Sequence, residues 1–406
     1  MSNSRPLDGL KVLDFTHVVA GPFGTRVLGD MGADVIKVNS ESRALTSNVP
    51  EHPFYIMWNR NKRALSLNMQ DAEAQVLCRK LALEADVVID NFSVGMLDRW
   101  GVGYDSVSEE NPGVIYVQMS GMGDTGPWSK FVSYAPTIHA VTGLTSLTGV
   151  PGREDVGIGF SYNDHQAGLH GAVAILAALE SRRNSGRGQR IDISQFEVGV
   201  NFAGPSLFDL FVNGRAAKAT GNKLPYDECA PHGVYQCAPK DAATIADERW
   251  VAIACMSDEH WVALKRVMGN PSWAEAEEYA TASSRYAASD ELDEHISAWT
   301  QDQEDYELMH RCQAAGVPCG VVQNGIDLAE RDPQFALTDF CHKIEDVHPT
   351  IGQTYCDRLP IHFSRTPCND YQRVRALGED NEEILKDWLS LSDNEISDLK
   401  AGEALK

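Results

Sequence analysis

At 406 residues the chain is long enough for roughly two or three domains, and its hydrophobic fraction of 43% allows an ordinary globular core. Its 58 acidic residues against 35 basic ones give a formal charge of -23, a surface that repels nucleic acid and anionic lipid and excludes both as partners. No run approaches the roughly eighteen apolar residues of a membrane span, and Met1–Pro6 carries no signal-peptide core, so the expected setting is the cytoplasm.

Leu10–Phe15 is an apolar strand, followed by a small-residue turn at Ala20-Gly21-Pro22 and a helix to Met31. Val35–Val38 and Leu65–Leu67 read as further strands, and Asp71–Ala85 as a helix with apolar residues near period 3.6. Asp86–Asp90 and Val114–Gln118 are strands of the fully buried type. Asp164 then precedes an apolar helix from Gly168 to Glu180, which leaves through the basic, Gly-punctuated run Ser181–Gln189 into a strand at Arg190–Ser194. This βαβ order predicts an α/β fold with a parallel, Rossmann-like sheet whose ligands lie at the carboxyl ends of the strands.

Beyond a polar connection at Gly214–Glu228 come strands near Gly233–Tyr235 and Trp250–Ile253 and helices at Glu259–Val267 and Tyr306–Ala315. The acidic stretch Pro271–Asp305 reads as an exposed helical surface. Val317–Val322 restarts strand chemistry, and Asn381–Leu405 reads as a helical tail. The expected organisation is a large α/β domain built from residues 1–224 and a return segment, 326–406, with a small α+β domain at 225–325 between them. Nine scattered cysteines without a CxxC pair fit reduced thiols, and neither they nor the twelve histidines show metal-ligand spacing, so no metal is expected.

Four clusters sit where strands end. His17–Pro22 permits close backbone approach by a ligand, or simply makes a tight turn. Asn59-Arg60-Asn61-Lys62-Arg63 is a basic knot in an acidic chain, either a solvated loop or a phosphate grip. Asp90–Gly101 places an aromatic and an arginine after a buried strand, a composition suited to a nucleotide edge. Ser120–Pro127 has glycines at dinucleotide-like spacing, but no strong helix follows, so it is a weak Rossmann signal. Asp164 itself has two readings: a carboxylate accepting the free N–H groups of a helix start, or a nucleophile kept ionised by the helix dipole.

Read together, these segments resemble one family. Gly9–Phe15 with Ala20-Gly21-Pro22, Gly32–Val38, Asn59–Arg63, Asp90-Asn91-Phe92, Leu97-Asp98-Arg99, Ser120–Pro127, Asp164, Ala177-Ala178-Leu179, Gly186–Gln189, Gly316–Gly320 and Leu377–Asn381 follow in order the pattern of the family III CoA-transferases, which includes formyl-CoA transferase and carnitine CoA-transferase-like enzymes. The resemblance runs nearly the full length and is specific through the joint occurrence of its pieces. It implies an interlocked dimer, as homodimer or as heteromer with a related subunit, acting on coenzyme A thioesters and carboxylic acids with no permanently bound cofactor.

It also implies that Asp164 is the nucleophile, forming a mixed anhydride with an acyl-CoA and then an aspartyl-CoA thioester, from which an acceptor carboxylate collects the CoA. Val18, Leu67, Asn91, Phe92, Met96, Arg99 and Trp100 match CoA-contacting positions, with Lys37 and Lys62 as additional charge and Tyr134 as a hydrogen-bond donor to a thioester oxygen. Trp100 and Met96 also read as core residues. The segment Tyr134–Thr145 is similar to the succinyl-CoA:benzylsuccinate CoA-transferase branch, which implies succinyl-CoA as donor and an aromatic dicarboxylate as acceptor.

Three departures bear on this. Asn39 stands where the family commonly has Glu, and Ser40 where a basic residue or Pro is frequent, so the phosphate grip differs. Ala135 replaces the second carboxylate of formyl-CoA transferase, and no Gly-rich flap lies between 225 and 260, which argues against formate and oxalate. Racemases of 2-methylacyl-CoA are a rival on the same fold. Their His falls at Tyr134, a poor base for an α-proton, although His139 or His165 could substitute. A supporting subunit of a heteromeric transferase is the remaining alternative, and the presence of Asp164 argues against it.

Overall fold

The computed structural model describes residues 4–225, 228–238 and 248–406. Residues 1–3, the parts of the 214–228 connection at 226–227, and 239–247 within the segment read as lacking a flap lie outside the described residues. Among the described residues no helix is long and apolar enough to cross a membrane.

Six strands form one parallel sheet: β1 (Lys11–Asp14), β2 (Asp34–Asn39), β3 (Lys62–Ser66), β4 (Val87–Asp90), β5 (Ile115–Gln118) and β6 (Gln189–Asp192), in the order β3-β2-β1-β4-β5-β6. The strand runs are continuously apolar because both faces are covered. Leu13, Ile36, Val88 and Tyr116 point into one core with the helix Ala72–Glu84 and the C-terminal helices. Their neighbours Val12, Val35, Val87, Ile89, Ile115 and Val117 point into the other, with the helix Ala20–Asp30 and the long helix Tyr162–Ser185. The order reverses between β1 and β4, and the loops leaving their carboxyl ends frame the crevice where such sheets bind ligands.

The long helix begins six residues earlier than Gly168, so Asp164 is the third residue inside it rather than a residue ahead of it. Gly168 is internal for a packing reason. A Cβ there would lie 2.5 Å from the Ala20 carbonyl oxygen, and one at Gly24 would lie 2.6 Å from the Gly168 carbonyl oxygen. The first helix and the long helix therefore touch backbone to backbone at this point.

The return segment completes the sheet at its β3 edge. The Asp380 carboxylate accepts from the Ala64 N–H at 2.8 Å and the Asn381 side chain from the Ser66 N–H at 2.8 Å. The tail is two helices rather than one, Asn381–Leu389 and Asp393–Ala401, broken where Ser390 turns left-handed and Ser392 caps the second.

Two compact units emerge. One holds residues 1–145, 157–208 and 336–406, including a two-stranded antiparallel sheet of β10 (Cys341–Lys343) and β11 (Tyr355–Asp357). The other holds 146–156 and 209–335, a wider span than 225–325. It is built on the antiparallel sheet β7 (His232–Gln236), β8 (Trp250–Ala254) and β9 (Cys319–Val321). The acidic stretch Pro271–Asp305 is not simply a solvated surface, since Leu292 and Ile296 on its helix Ser289–Thr300 are fully buried in that unit's core.

Candidate active site

The basic knot after the helix Pro53–Trp58 is neither a solvated loop nor a phosphate grip. Arg60 is buried, bonding Asp30 at 2.8 Å and Asp357 at 2.6 Å, and Arg63 meets Asp34 at 2.5 Å and Asp387 at 2.9 Å. Lys62 places its Nζ 3.0 Å from Asp14, with Pro22 O, Thr25 and Asn59 completing its shell. Lys37 lies 3.7 Å from the other Asp14 oxygen. Both lysines are buried in the fold, so neither is available to CoA as expected from sequence. Burial works against the charge on Asp14, yet Lys37 and Lys62 hold its carboxyl well below the usual range. Burial pushes the Lys62 ammonium down to about 7 against the pull of Asp14.

At the carboxyl ends of the strands a cavity of about 240 Å³ opens. It collects the residues following β1, β4, β5 and β6, and it contains Asp164, Val18, Asn91, Phe92 and Tyr134 from among the candidates. Leu67 instead lies in the core, while Met96, Arg99 and Trp100 form the short helix after β4 and its end, outside the cavity wall. Asn91 does not reach outward. Its Oδ1 accepts from the His17 N–H at 2.7 Å and its Nδ2 donates to the His17 carbonyl at 2.8 Å. That clamp holds the next residue, Val18, at φ 67°, a conformation a β-branched residue adopts only under constraint.

Asp164 is half-buried, and its Oδ2 has no hydrogen-bond partner among the described residues. Burial raises its carboxyl to about 6, only partly offset by its own backbone N–H. The helix dipole, expected from sequence to keep this group ionised, is outweighed here by desolvation, and a minor protonated fraction persists at neutral pH. A carboxylate with this basicity is a better nucleophile than a solvated one and still predominantly charged at pH 7.

Neither histidine proposed as a racemase base shares the cavity. The Nε2 of His139 accepts from the Asn163 N–H at 3.2 Å, and burial lowers its pKa, so it stays neutral as an acceptor for the helix start. His165 turns away, its Nδ1 2.7 Å from the Ser161 carbonyl and its ring packed against Phe160, Trp58 and Phe23. Tyr134, 67% exposed, caps the helix Ala135–Val141 with its N–H donating to Thr137 Oγ1 at 2.9 Å.

Residues 7–381 match CoA-transferase family III. The chain belongs to that family. It is 30% identical to the succinyl-CoA–D-citramalate CoA-transferase of Chloroflexus aurantiacus, over 98% of this chain and 97% of that one. It is also 30% identical to the beta subunit of the succinyl-CoA–L-malate CoA-transferase of that organism, over 98% of each. A formyl-CoA:oxalate CoA-transferase of Streptomyces coelicolor is 29% identical over 98% of both chains. Among solved structures, a CAIB/BAIF family protein from Brucella suis superposes with a TM-score of 0.83 at 31% identity, covering 94% of this chain and 98% of that one.

As a family III CoA-transferase the chain is an enzyme, and its departures at Asn39 and Ser40 acquire a structural meaning. Both residues are buried, with Asn39 Nδ2 donating to the Asn48 carbonyl at 3.1 Å and Ser40 Oγ 3.2 Å from Ser42 Oγ. The loop they shape presents Arg43, a residue the sequence reading passed over. Its guanidinium lies 4.7 Å from the Phe92 ring centre and 4.5 Å from that of Trp100, and among the described residues no carboxylate pairs with it. Burial lowers the Arg43 pKa, and the same burial, together with Lys37 and Arg43, keeps His17 neutral. The signal was present in sequence: an arginine four residues beyond a strand of the parallel sheet, in a chain short of cations.

Proposed function

We propose that this transferase moves CoA from succinyl-CoA to a 2-substituted succinate through covalent intermediates on Asp164. The observation that carries the reading is the unpartnered Asp164 oxygen in the cavity at the strand ends. An ionised carboxylate there attacks the thioester carbonyl and releases CoA thiolate, which re-adds at the aspartyl carbonyl to give the aspartyl-CoA thioester and free succinate. The acceptor carboxylate then reverses the sequence. Arg43 on its aromatic bed is the cation that meets a CoA phosphate, in place of the lysines engaged by Asp14.

The acceptor class rests on two supports. D-citramalate and L-malate, named for the relatives, are succinates substituted at carbon 2, as is the benzylsuccinate indicated by the Tyr134–Thr145 segment. The cavity wall mixes apolar Phe131, Val132 and Ile138 with serine hydroxyls, which suits a substituent that is benzyl, methyl or hydroxyl. The test is to incubate the enzyme with succinyl-CoA and a panel of malate, citramalate, benzylsuccinate and oxalate, reading acyl-CoA products by mass spectrometry. A substituted succinyl-CoA is expected. With no acceptor, hydroxylamine should convert residue 164 to a hydroxamate. In the same assay Arg43→Ala should raise KM for succinyl-CoA roughly tenfold with kcat little changed, the pattern of lost uniform binding. Rapid α-deuterium incorporation into a 2-methylacyl-CoA in heavy water, without CoA moving to any acid, would overturn the reading.

The working assembly is a dimer. The helix Gly204–Asn213 has no buried residue although Leu207, Phe208, Leu210, Phe211 and Val212 lie along it, and Val173 on the long helix is 66% exposed. Exposed apolar side chains such as these are ordinarily covered by a partner, here a second copy or a related subunit. Sedimentation equilibrium at micromolar concentration should give twice the chain mass of 44.6 kDa if the partner is a second copy; a single-chain mass would exclude the homodimer and leave the related subunit as the partner.

A further inference from the structure

Two buried side chains in the Asp164 cavity each leave an oxygen unbonded among the described residues. Ser120 is 4% exposed and Gln195 6%, both line the cavity that contains Asp164, and neither Ser120 Oγ nor Gln195 Oε1 has a hydrogen-bond partner. Folds satisfy nearly all such atoms, and exceptions that cluster in one cavity point to a ligand that meets them.

The backbone around them is not loose. The Gln195 N–H donates to the Ser120 carbonyl at 3.2 Å, and the Gln195 carbonyl accepts from Asn163 Nδ2 at 3.0 Å. Asn163 is fully buried, directly precedes Asp164, and donates its N–H to His139. The Phe196 N–H donates to the Gly121 carbonyl at 2.8 Å. One run of bonds therefore fixes the segment after β5, the residues after β6 and the first turn of the Asp164 helix against each other. Ser120 Oγ and Gln195 Oε1, with Asp164 Oδ2 and the buried Asn163 Oδ1, are left open in this network among the described residues.

We infer that the Ser120 hydroxyl and the Gln195 carboxamide are catalytic residues, the donors to the oxyanion that forms when Asp164 attacks an acyl carbonyl. The assignment rests on the transferase reading and deepens it. An Asp164 oxygen adds to the thioester carbonyl carbon, and the carbonyl π pair moves onto oxygen as an alkoxide. The Ser120 O–H and a Gln195 N–H donate to that alkoxide, a half-turn of the carboxamide presenting its N–H groups where its oxygen now stands. Collapse restores the carbonyl and expels CoA as thiolate, leaving the acyl-aspartyl anhydride. Neutral donors suit this site: among the described residues no lysine or arginine lines the cavity. A cation there would draw the Asp164 carboxylate toward lower basicity and weaken it as a nucleophile.

The experiment compares wild type with Ser120→Ala and Gln195→Met, using succinyl-CoA as the probe. It measures hydroxylamine trapping at residue 164, steady-state transfer, CoA affinity by calorimetry and the thermal midpoint. Each variant is expected to lose about a hundredfold in kcat and in the trapping rate, with CoA affinity within about threefold and the thermal midpoint unchanged or higher. Ser120→Thr, which keeps the hydroxyl, should retain most activity, and Gln195→Glu, which when ionised only accepts, should be as slow as Gln195→Met. Wild-type rates in Ser120→Ala and Gln195→Met would overturn the assignment, as would a loss confined to CoA affinity or a loss that Ser120→Thr shares in full. Trapping in the wild type but undiminished in the variants would sink this inference alone. No trapping in the wild type would sink it together with the transferase reading.

Discussion

Asp164→Asn is expected to abolish CoA transfer while making the protein more stable at neutral pH. The amide can form neither anhydride nor thioester, so the rate should fall by at least about 10⁴-fold, the scale of losing a nucleophile. The stability change follows from burial, which raises the carboxyl to about 6 in the fold. Because the folded-state pKa lies above the unfolded one, the folded state holds the proton more tightly and ionisation is the costly event. The penalty is absent below about pH 4, grows from there to pH 6 and is complete above it. Its size is about 2–3 kcal/mol from the shift in pKa, reduced by about 0.3–1 kcal/mol for a carboxylate favoured at a helix N-terminus. Removing the charge should thus stabilise the protein by about 2 kcal/mol at pH 7 and by nothing near pH 3.5. A residue that merely capped the helix would behave oppositely, its loss costing about 0.5–2 kcal/mol with activity retained. Urea denaturation at the two pH values decides between them. A destabilised but active Asp164→Asn would remove Asp164 from the mechanism.

Asp14→Ala should be among the most damaging single changes in the chain. Asp14 is fully buried, with Thr16, Thr25 and Lys62 bonded to its oxygens and Lys37 3.7 Å away. Truncation leaves two buried ammonium groups without a counter-charge, an expected loss of about 3–5 kcal/mol. The pH window follows from both partners. The Asp14 carboxyl is depressed in the fold, so its contribution is present above the unfolded value near pH 4 and is lost only as pH falls through its low folded value. Its attraction to Lys62 is present while that lysine is charged in the fold, below about pH 7. The deficit of the variant should therefore be greatest from about pH 4 to 7 and shrink at pH 9, measured as a difference in urea midpoints. A deficit below about 1 kcal/mol at pH 6 would show that the buried pair contributes little.

The sheet was legible because both of its faces are covered, which leaves an unmistakable continuous run at Asp86–Asp90 and Val114–Gln118. Asp164 was legible as a carboxylate at a helix start, although the helix begins ahead of it, because Gly168 looks like an unfavourable interior residue until Gly24 is seen against it. The charges were not legible. Which of Lys37, Arg60, Lys62 and Arg63 reaches a ligand depends on Asp14, Asp30, Asp357 and Asp387, carboxylates far away in sequence that only the folded chain brings together. Arg43 could be seen in sequence as an arginine just beyond a strand, but that no carboxylate among the described residues pairs with it shows only in the fold. Ser120 and Gln195 carry no residue-level signal beyond following β5 and β6, and their importance rests on bonds they do not make.

Where Gly24 meets Gly168 there is no side chain between the two helices to rotate out of the way. Asp164 stands one turn along from this seam and is in effect bolted to the strand-and-helix frame of the sheet. In the proposed cycle it would meet a thioester, a thiolate and a second acid in turn. With the carboxylate stationary, the travelling belongs to the reactants. On that proposal the pantetheine arm would swing its sulfur away while donor and acceptor acids exchange over one fixed oxygen. Changes of acid specificity can then arise in the surrounding loops while the bond-making atom keeps its coordinates.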